Sequence, residues 1–240
     1  MEIIAEIGLN HMGDLNKALD MIRIAKECGA DIAKFQFYYT DILCVNRNCF
    51  DSFKLLDKIR LRPQWIPIIA NECKRQNVEF LCTCFDKFSA EEISGYVKRF
   101  KIASPEAADL NFVKQVAEFG KPLIISTGKI DDDQIKRILN EVDVPVTLLY
   151  CVSKYPSRPG DYKLSEIKRL KKKFHVPVGL SCHCVGIKNA LDAVDMHGAE
   201  MVEKHFMLSD EKCVDAAVSL LPSDFTKMCE IIRRNNGKRN

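Results

Sequence analysis

The stretch MVEKHF, residues 201–206, is a short apolar run that ends in Glu203, a lysine and His205. A carboxylate, an ammonium group and an imidazole at the end of a buried strand are the composition of a site rather than of a core. The run PVGLSCH, residues 177–183, has the same character and ends in His183. Two imidazoles at the ends of neighbouring strands are suited to hold one metal ion, so the order of the strands matters for function.

Eight such apolar runs recur along the chain, and helix-like segments separate most of them. Their apolarity is continuous rather than alternating, which is typical of parallel strands covered on both faces. Eight strands that alternate with helices in 240 residues predict a closed (β/α)8 TIM barrel, a single α/β domain spanning residues 1–240. A doubly wound open sheet is the alternative. The runs span residues 3–8, 31–37, 78–84, 99–104, 122–128, 146–152, 177–183 and 201–206.

Polar and charged residues gather at the carboxyl ends of these runs. In a closed barrel the strand ends converge on one mouth, whereas an open sheet would spread them along an edge. The pattern therefore favours the barrel and predicts a site at its mouth. The residues are Glu6, Lys34, Gln36, Thr83, Lys101, Ser104, Ser126, His183, Glu203 and His205.

The composition excludes several classes of protein. The formal net charge is only +3, and the basic residues are scattered apart from short clusters, so we expect no nucleic-acid partner. The amino terminus carries two glutamates in its apolar run, unlike a signal peptide, and no apolar stretch approaches the ~18 residues that span a bilayer. We expect a cytoplasmic enzyme that does not bind membranes.

Eleven cysteines are many for a chain of this length. Without a signal peptide they are expected to stay reduced, and most lie in apolar or helical contexts that favour small core residues. Cys82 with Cys84 and Cys182 with Cys184 raise the alternative of a zinc site. Their C-x-C spacing differs from the usual C-x-x-C of structural zinc sites.

The strand ends carry a series of motifs that together resemble one family. They are similar, in order, to the strand-end signatures of the sialic acid synthases, whose members condense phosphoenolpyruvate with an N-acylated hexosamine. The resemblance covers nearly the whole chain and implies a TIM barrel, an enzyme of carbohydrate biosynthesis and a homodimer. The motifs are AEIGLNHMG (5–13), KFQ (34–36), FLCTCFD (80–86), KIASPE (101–106), ISTG (125–128), CVSKYP (151–156), GLSCHCVG (179–186) and VEKHF (202–206).

The resemblance also implies roles for individual residues, and the chemistry of their side chains fits those roles. Phosphoenolpyruvate carries a phosphate and a carboxylate, so its pocket needs cations and hydroxyl groups. A lysine inside an apolar run needs a partner, which favours a functional reading of both strand lysines. The expected phosphoenolpyruvate-binding residues are Lys34, Thr83, Lys101, Ser104, Ser126, Ser153 and Ser181.

His183 and His205 match the family's pair of ligands for a divalent metal, Mn2+ or Mg2+. Two neutral imidazoles leave positions open on an octahedral ion for substrate and water. The metal would polarise the aldehyde of the open-chain sugar. Ligation by His11 is an alternative, although Asn10 and His11 fit better as structural residues of the first turn.

Two carboxylates end the first and last strands, which become neighbours when a barrel closes. We expect Glu6, Lys34 and Glu203 to be catalytic, through proton transfer or activation of the attacking water. The alternative is that the carboxylates only form buried salt bridges with lysines. Four further residues match family positions that contact the aminosugar: Gln36, Glu106, Tyr155 and Asp215.

Three departures from the family pattern limit what it implies. Cys182 stands where an aspartate commonly precedes the metal-binding histidine, and Ala216 follows Asp215 where a histidine is frequent. The family usually continues into a small antifreeze-like carboxy-terminal domain that supplies an arginine to the sugar site across a dimer. We expect this chain to lack that domain, so that its own residues 38–77, a separate lid chain or nothing covers the mouth. Residues 38–77 are expected to form a loop followed by a helix near residues 63–76.

Three functions therefore stay open. The first is a sialic acid synthase that uses N-acetylmannosamine or a relative. The second is a phosphoenolpyruvate-condensing enzyme with another aldehyde acceptor, of the 3-deoxy-ulosonate type. The third is a catalytically silent barrel that binds a sugar, which the retained histidines and lysines argue against.

Overall fold

The eight strands form one closed barrel. A computed structural model describes residues 1–209 and 212–237, and in it each strand pairs in parallel with the next while the last strand pairs with the first. The predicted TIM barrel is confirmed, and the open-sheet alternative is wrong. The strands are β1 (Glu2–Gly8), β2 (Ile32–Phe37), β3 (Glu79–Cys84), β4 (Phe100–Ile102), β5 (Leu123–Ser126), β6 (Val146–Cys151), β7 (Val178–Cys182) and β8 (Met201–His205).

Helices cover the outside of the barrel between consecutive strands. Polar caps fix where several of them begin: the side chain of Asp14 accepts a hydrogen bond from the backbone of Lys17 at the first helix, and Asp131 caps another helix in the same way. The helices are α1 (Leu15–Glu27), α2 (Thr40–Arg47), α3 (Phe53–Ile59), α4 (Ile66–Arg75), α5 (Lys87–Ser94), α6 (Leu110–Ala117), α7 (Asp132–Glu141), α8 (Ser165–Phe174), α9 (Lys188–His197) and α10 (Pro222–Gly237).

The core has two layers, because alternate residues of each strand point to opposite faces of the sheet. The outer layer fills the space between strands and helices. An inner layer closes the middle of the barrel, and its members are Ile4, Ile32, Leu81, Ile124, Leu149 and Met201. Gly179 of β7 lies beside this layer, where a Cβ atom would meet the carbonyl oxygen of Met201 at 2.4 Å. The inward positions that follow this layer towards the carboxyl ends are the polar ones.

At the amino-terminal end of the strands, an arginine joins three parts of the sheet. Arg99, directly before β4, donates to Glu2 at the start of β1 and to Glu79 at the start of β3. Its Nε lies 2.7 Å from the Glu79 carboxylate, and its side chain is about one-sixth exposed. These bonds hold the end of the barrel opposite the polar mouth.

The segment between β2 and β3, residues 38–77, is more regular than the sequence predicted. Its first half contains the helices α2 and α3 instead of the expected loop, and α4 follows where a helix was predicted. The Tyr38 ring packs edge-on against Phe85 beyond β3, which anchors the segment beside the mouth. In the part of the chain that the structure describes, no helix is long and apolar enough to cross a membrane.

Candidate active site

A cavity of about 290 Å³ opens at the carboxyl ends of the strands. With the exception of Glu106, every site residue proposed from the sequence lines it. The structure thus brings together residues from all eight strands and the loops that follow them. The proposed residues at the cavity are Glu6, Lys34, Gln36, Thr83, Lys101, Ser104, Ser126, Ser153, Tyr155, Ser181, His183, Glu203, His205 and Asp215.

On one side of the cavity, Lys34 lies between two carboxylates. Its Nζ is 2.9 Å from Oε2 of Glu6 and 3.4 Å from Oε2 of Glu203, and it donates to the Thr83 hydroxyl at 3.1 Å. The pairing of strands produces this cluster, because β1 places Glu6 directly beside Lys34 of β2. The Gln36 amide donates to the other Glu6 oxygen at 2.8 Å. The lysine charge is therefore balanced by protein groups.

Lys101, on β4, has a different environment. Its Nζ donates to the Ser126 hydroxyl at 2.7 Å and to the backbone oxygen of Ile102 at 3.1 Å. Within residues 1–209 and 212–237, no carboxylate lies at ion-pairing distance from it. Burial, together with the charge of Lys34, lowers the pKa of Lys101, although the more distant charge of Glu203 opposes the shift. An anion that enters this side of the cavity would supply the missing partner.

The two carboxylates beside Lys34 differ in proton affinity. Burial, and to a lesser degree the charge of Glu203, raises the pKa of Glu6 above its usual value, although Lys34 opposes the shift. Burial acts in the same direction on Glu203, but Lys34, Lys101 and the hydroxyl of Ser181 outweigh it and lower the pKa of Glu203 to about 2. The Ser181 hydroxyl donates to Glu203 at 2.8 Å. Two neighbouring carboxyls with separated pKa values can divide the tasks of proton donor and proton acceptor.

His183 is held in a defined tautomer. Its Nδ1 lies 2.9 Å from the backbone oxygen of Val152, so this nitrogen carries the proton and donates it. Nε2 is then the acceptor, and it faces the Tyr155 hydroxyl at 2.9 Å. Burial lowers the pKa of His183 to about 4, so the ring is neutral at physiological pH.

His205 is neutral as well, because burial lowers its pKa to about 4. Its Nδ1 is buried without a hydrogen-bond partner among the described residues and lies 3.5 Å from Oδ2 of Asp215. The two imidazole rings are neighbours, with centroids 5.6 Å apart. Two neighbouring neutral imidazoles, one of them oriented by a backbone oxygen, fit a divalent metal. The part of the chain that the structure describes contains no group of three His, Cys, Asp or Glu residues placed to hold an ion, so substrate and water would supply the other ligands.

Glu106 lies outside this cavity, contrary to its expected place in the sugar site. It lines a neighbouring pocket, and its two carboxylate oxygens accept hydrogen bonds from Arg47 at 2.8 and 2.7 Å. Arg47, at the end of α2, lines both the cavity and the neighbouring pocket, and its guanidinium lies 5.1 Å from the centre of the Phe85 ring. No pattern in the sequence pointed to Arg47, because it belongs to a polar helix end in the long segment between two strands.

The four cysteines considered for zinc do not meet. Cys82 and Cys84 belong to β3, and Cys182 and Cys184 belong to or follow β7 on the opposite side of the barrel. All four side chains point outward into the layer under the helices. A shared zinc site is therefore wrong. Cys182 and Cys184 instead surround the fully buried Lys204, which donates to the backbone oxygen of Cys184.

The first turn has the structural role expected for it. The Asn10 side chain donates to the backbone oxygen of Phe206 and to Ser219, and its oxygen accepts from the backbone of Asp215. Asn10 thus ties the segment after β8 to the turn after β1. His11 is buried away from the cavity lining, where its Nδ1 accepts from the backbone of Gly13, so it is not a ligand for the His183 and His205 position.

Comparison with known proteins agrees with this arrangement. The model of the NeuB family matches residues 21–238. The chain belongs to the NeuB family. Over 97% of its length it is 34% identical to the pseudaminic acid synthase of Campylobacter jejuni, of which it covers 73%. It is 31% identical over 96% of its length to human N-acetylneuraminate-9-phosphate synthase, and covers 69% of that protein.

A solved structure of a sialic acid synthetase has the same fold. It is the N-acetylneuraminic acid (sialic acid) synthetase of Leptospira borgpetersenii in complex with citrate, with a TM-score of 0.94 and 30% identity. The match covers 99% of this chain and 84% of that one. These likenesses confirm the resemblance to sialic acid synthases that the strand-end motifs indicated.

Proposed function

We propose that this NeuB-family chain condenses phosphoenolpyruvate with the aldehyde form of an N-acyl hexosamine, giving a nonulosonic acid and phosphate in a metal-dependent reaction. The NeuB relatives are carbon–carbon bond-forming, phosphoenolpyruvate-dependent transferases, and this chain is an enzyme of that type. One observation carries the proposal. A buried lysine without a carboxylate at ion-pairing distance among the described residues, two carboxyls of unlike pKa and two neutral imidazoles face one cavity.

The phosphate and carboxylate of phosphoenolpyruvate would lie on the Lys101 side. Lys101 gains there the anionic partner that the protein does not provide, and Ser126 is already at 2.7 Å from it. The Ser104 hydroxyl is buried and has no hydrogen-bond partner among the described residues, so it is free to donate to the same anion. Thr83 and Ser153 complete the hydroxyl groups on this wall. Charge-assisted hydrogen bonds of this kind are about twice as strong as neutral ones.

In the reaction, the methylene carbon of phosphoenolpyruvate forms a bond to the aldehyde carbon, and the aldehyde oxygen takes up a proton. Water then adds to the oxocarbenium-like C2 and loses a proton, and phosphate leaves by cleavage of the carbon–oxygen bond. Glu6, the carboxyl of higher pKa, would give the first proton. Glu203 is a carboxylate over the physiological range and would accept the second.

His183 and His205 would hold the divalent ion, Mn2+ or Mg2+; His183 would use Nε2, which faces the Tyr155 hydroxyl in this structure. When bound, such an ion supplies Lewis-acid polarisation of the acceptor carbonyl. The remaining acceptor contacts fall to Gln36, Tyr155 and Asp215, which line the same end of the cavity. Glu106 would act on the acceptor only indirectly, through Arg47, because Arg47 donates hydrogen bonds to both oxygens of the Glu106 carboxylate.

The experiment is a test of phosphate release with phosphoenolpyruvate, Mn2+ or Mg2+, and a panel of aldehydes. The panel contains N-acetylmannosamine, its 6-phosphate, a di-N-acetylated hexose and simple aldoses of the kind used by 3-deoxy-ulosonate synthases. We expect release with an N-acylated sugar and its loss in His205→Ala, which should also lose bound metal while the barrel stays folded. Release only with simple aldoses would favour a phosphoenolpyruvate-condensing enzyme of the 3-deoxy-ulosonate type. No release with any aldehyde would exclude both this enzyme and the sialic acid synthase.

A further inference from the structure

Two cysteines beside the mouth of the barrel lie in contact with each other. The Sγ atoms of Cys44, in α2, and Cys49, just after it, are 3.3 Å apart. The backbone holds them there, since the carbonyl oxygen of Cys44 accepts from the N–H groups of both Asn48 and Cys49. Asn48 has left-handed backbone angles (φ 51°, ψ 49°), which turn the chain back so that the second thiol faces the first. A disulfide would require the sulfurs to approach to about 2.05 Å.

The two thiols differ in access to solvent. Cys44 is fully buried, and burial together with the hydrogen bond from Cys49 raises its pKa to about 11. Cys49 is half-buried, as is Cys213, while the other nine cysteines are buried. An oxidant therefore reaches Cys49 first and finds a second thiol directly behind it. This is the arrangement of an attacking and a resolving cysteine.

The residues between the two cysteines connect the pair to the cavity. Arg47 lies inside the five-residue turn, and its guanidinium forms the bidentate bond to Glu106, lies over Phe85 and lines the cavity. A bidentate arginine–carboxylate pair depends on the position of both planes. A disulfide brings the two sulfurs more than 1 Å closer together. Because Cys44 and Cys49 flank Arg47 in the sequence, this movement shifts the backbone that carries the Arg47 side chain.

We propose that Cys44 and Cys49 form a reversible dithiol–disulfide pair that controls how Arg47 is presented at the mouth of the barrel. The oxidant is a small disulfide such as oxidised glutathione. The Cys49 thiolate attacks one of its sulfurs and releases one glutathione thiolate, giving a mixed disulfide. The sulfur of Cys44 then gives up its proton and displaces the second glutathione. The two cysteines lose two electrons and two protons, and the oxidant leaves as two thiols.

The consequence for the reaction rests on the proposed function. Arg47 binds the carboxylate of Glu106, a residue that matches a family position in contact with the aminosugar, so oxidation should act on the acceptor and not on phosphoenolpyruvate. A charge-assisted hydrogen bond to an acceptor group that is lost or misplaced costs about a factor of ten in binding. We expect the KM for the acceptor to rise about tenfold in the oxidised enzyme, with the KM for phosphoenolpyruvate unchanged.

The first measurement does not depend on any substrate. The full chain is incubated with oxidised glutathione, the remaining thiols are alkylated, and the peptides are analysed by mass spectrometry. We expect a loss of two hydrogens in a peptide carrying residues 44 and 49, reversed by dithiothreitol, while the other cysteines are alkylated. Cys49→Ser should abolish the linkage. Cys213→Ser, which removes the other half-buried cysteine, is the matched control and should leave the linkage intact.

The second measurement compares acceptor KM in the oxidised and reduced enzyme. Cys49→Ser should keep the reduced value under both conditions. Arg47→Ala should form the disulfide but show no change of KM with oxidation, because the group that responds is gone. Free thiols at 44 and 49 after treatment would overturn the proposal, as would a complete disulfide with an unchanged KM. Failure of the proposed function would appear differently, as no phosphate release in either redox state.

Discussion

Lys34 and Lys101 are both buried in the wall of one cavity, yet their surroundings are opposite. Lys34 contacts the carboxylates of Glu6 and Glu203, which outweigh burial and raise its pKa. Lys101 contacts a hydroxyl and a backbone oxygen, and its pKa is lowered. The difference indicates that one lysine belongs to a permanent ion cluster, while the other keeps its charge for a ligand.

The largest effect is expected from removing the compensated lysine. Lys34→Met leaves Glu6 and Glu203 buried beside each other without their cation. Breaking a buried ion pair from one side costs about 3–5 kcal/mol, so the free energy of unfolding should fall by that amount and activity should be lost. Urea denaturation monitored by circular dichroism measures the free energy of unfolding, and phosphate release measures the activity. Lys34→Arg, which keeps the charge, serves as the control for stability.

Lys101→Met should weaken phosphoenolpyruvate binding without destabilising the protein. It removes a buried charge that has no carboxylate partner among the described residues, so the free energy of unfolding should stay within about 1 kcal/mol or rise. Phosphoenolpyruvate affinity should nevertheless fall on the order of 100-fold, through the loss of charge-assisted bonds. Isothermal titration calorimetry measures the affinity. A loss of stability equal to that of Lys34→Met would mean that the two lysines are equivalent.

The carboxylates beside Lys34 should also differ. Glu203 has a pKa of about 2 in the folded protein, below its usual value of 4.5, so its charged form contributes stability above pH 4.5 that is lost as the pH falls towards 2. Glu203→Gln should lower the free energy of unfolding at pH 7 by about 3 kcal/mol. Glu6→Gln should change it by less than about 1 kcal/mol, because burial already raises the pKa of Glu6 and disfavours its charge.

Denaturation at pH 7 and pH 3 tests this pair of variants. At pH 3 Glu203 is still ionised in the folded protein but mostly protonated when unfolded, so the difference between Glu203→Gln and the unmodified chain should be smaller than at pH 7. Equal losses of stability in the two variants at pH 7 would contradict the assignment of unlike pKa values.

The smallest effect is a pH dependence of phosphoenolpyruvate binding. The anion binds the charged form of Lys101, and burial lowers the pKa of that lysine in the free enzyme. Affinity should therefore decrease as the pH rises through this lowered pKa, by at most about tenfold per pH unit for one proton. Calorimetry between pH 6 and 10 measures the slope. Lys101→Arg stays charged throughout and should flatten the profile in this range.

The sequence was sufficient for the fold because its signals were local. Continuous apolar runs marked the strands, and polar residues at their ends marked the mouth. β4 proved shorter than the run 99–104: it spans Phe100–Ile102, and of these residues only Lys101 and Ile102 pair with both neighbouring strands. The placement of His183 and His205 side by side followed from strand order once the barrel closed. Their roles, like those of the other cavity residues, stay predictions.

Other parts of the site depend on contacts between distant residues. Lys34 contacts Glu6 and Glu203 because β2, β1 and β8 pair side by side in the barrel. No single apolar run in the sequence specifies this pairing. Glu106 was expected at the acceptor, but Arg47, 59 residues away, occupies its carboxylate. The path of residues 38–77 could not be inferred from periodicity. The sequence offered this segment as one of several ways to cover the mouth, but it did not show that the end of α2 places an arginine there.

The bonds of Arg99 at the opposite end of the barrel have a consequence for evolution. They join β1, β3 and β4 at the amino-terminal end of the barrel, and the inner apolar layer separates them from the cavity. Substitutions at Glu2, Glu79 and Arg99 should therefore change the thermal stability of the barrel without touching a residue that lines the cavity. Descendants of this chain can adapt to a warmer or colder habitat at one end of the barrel while selection preserves the chemistry at the other.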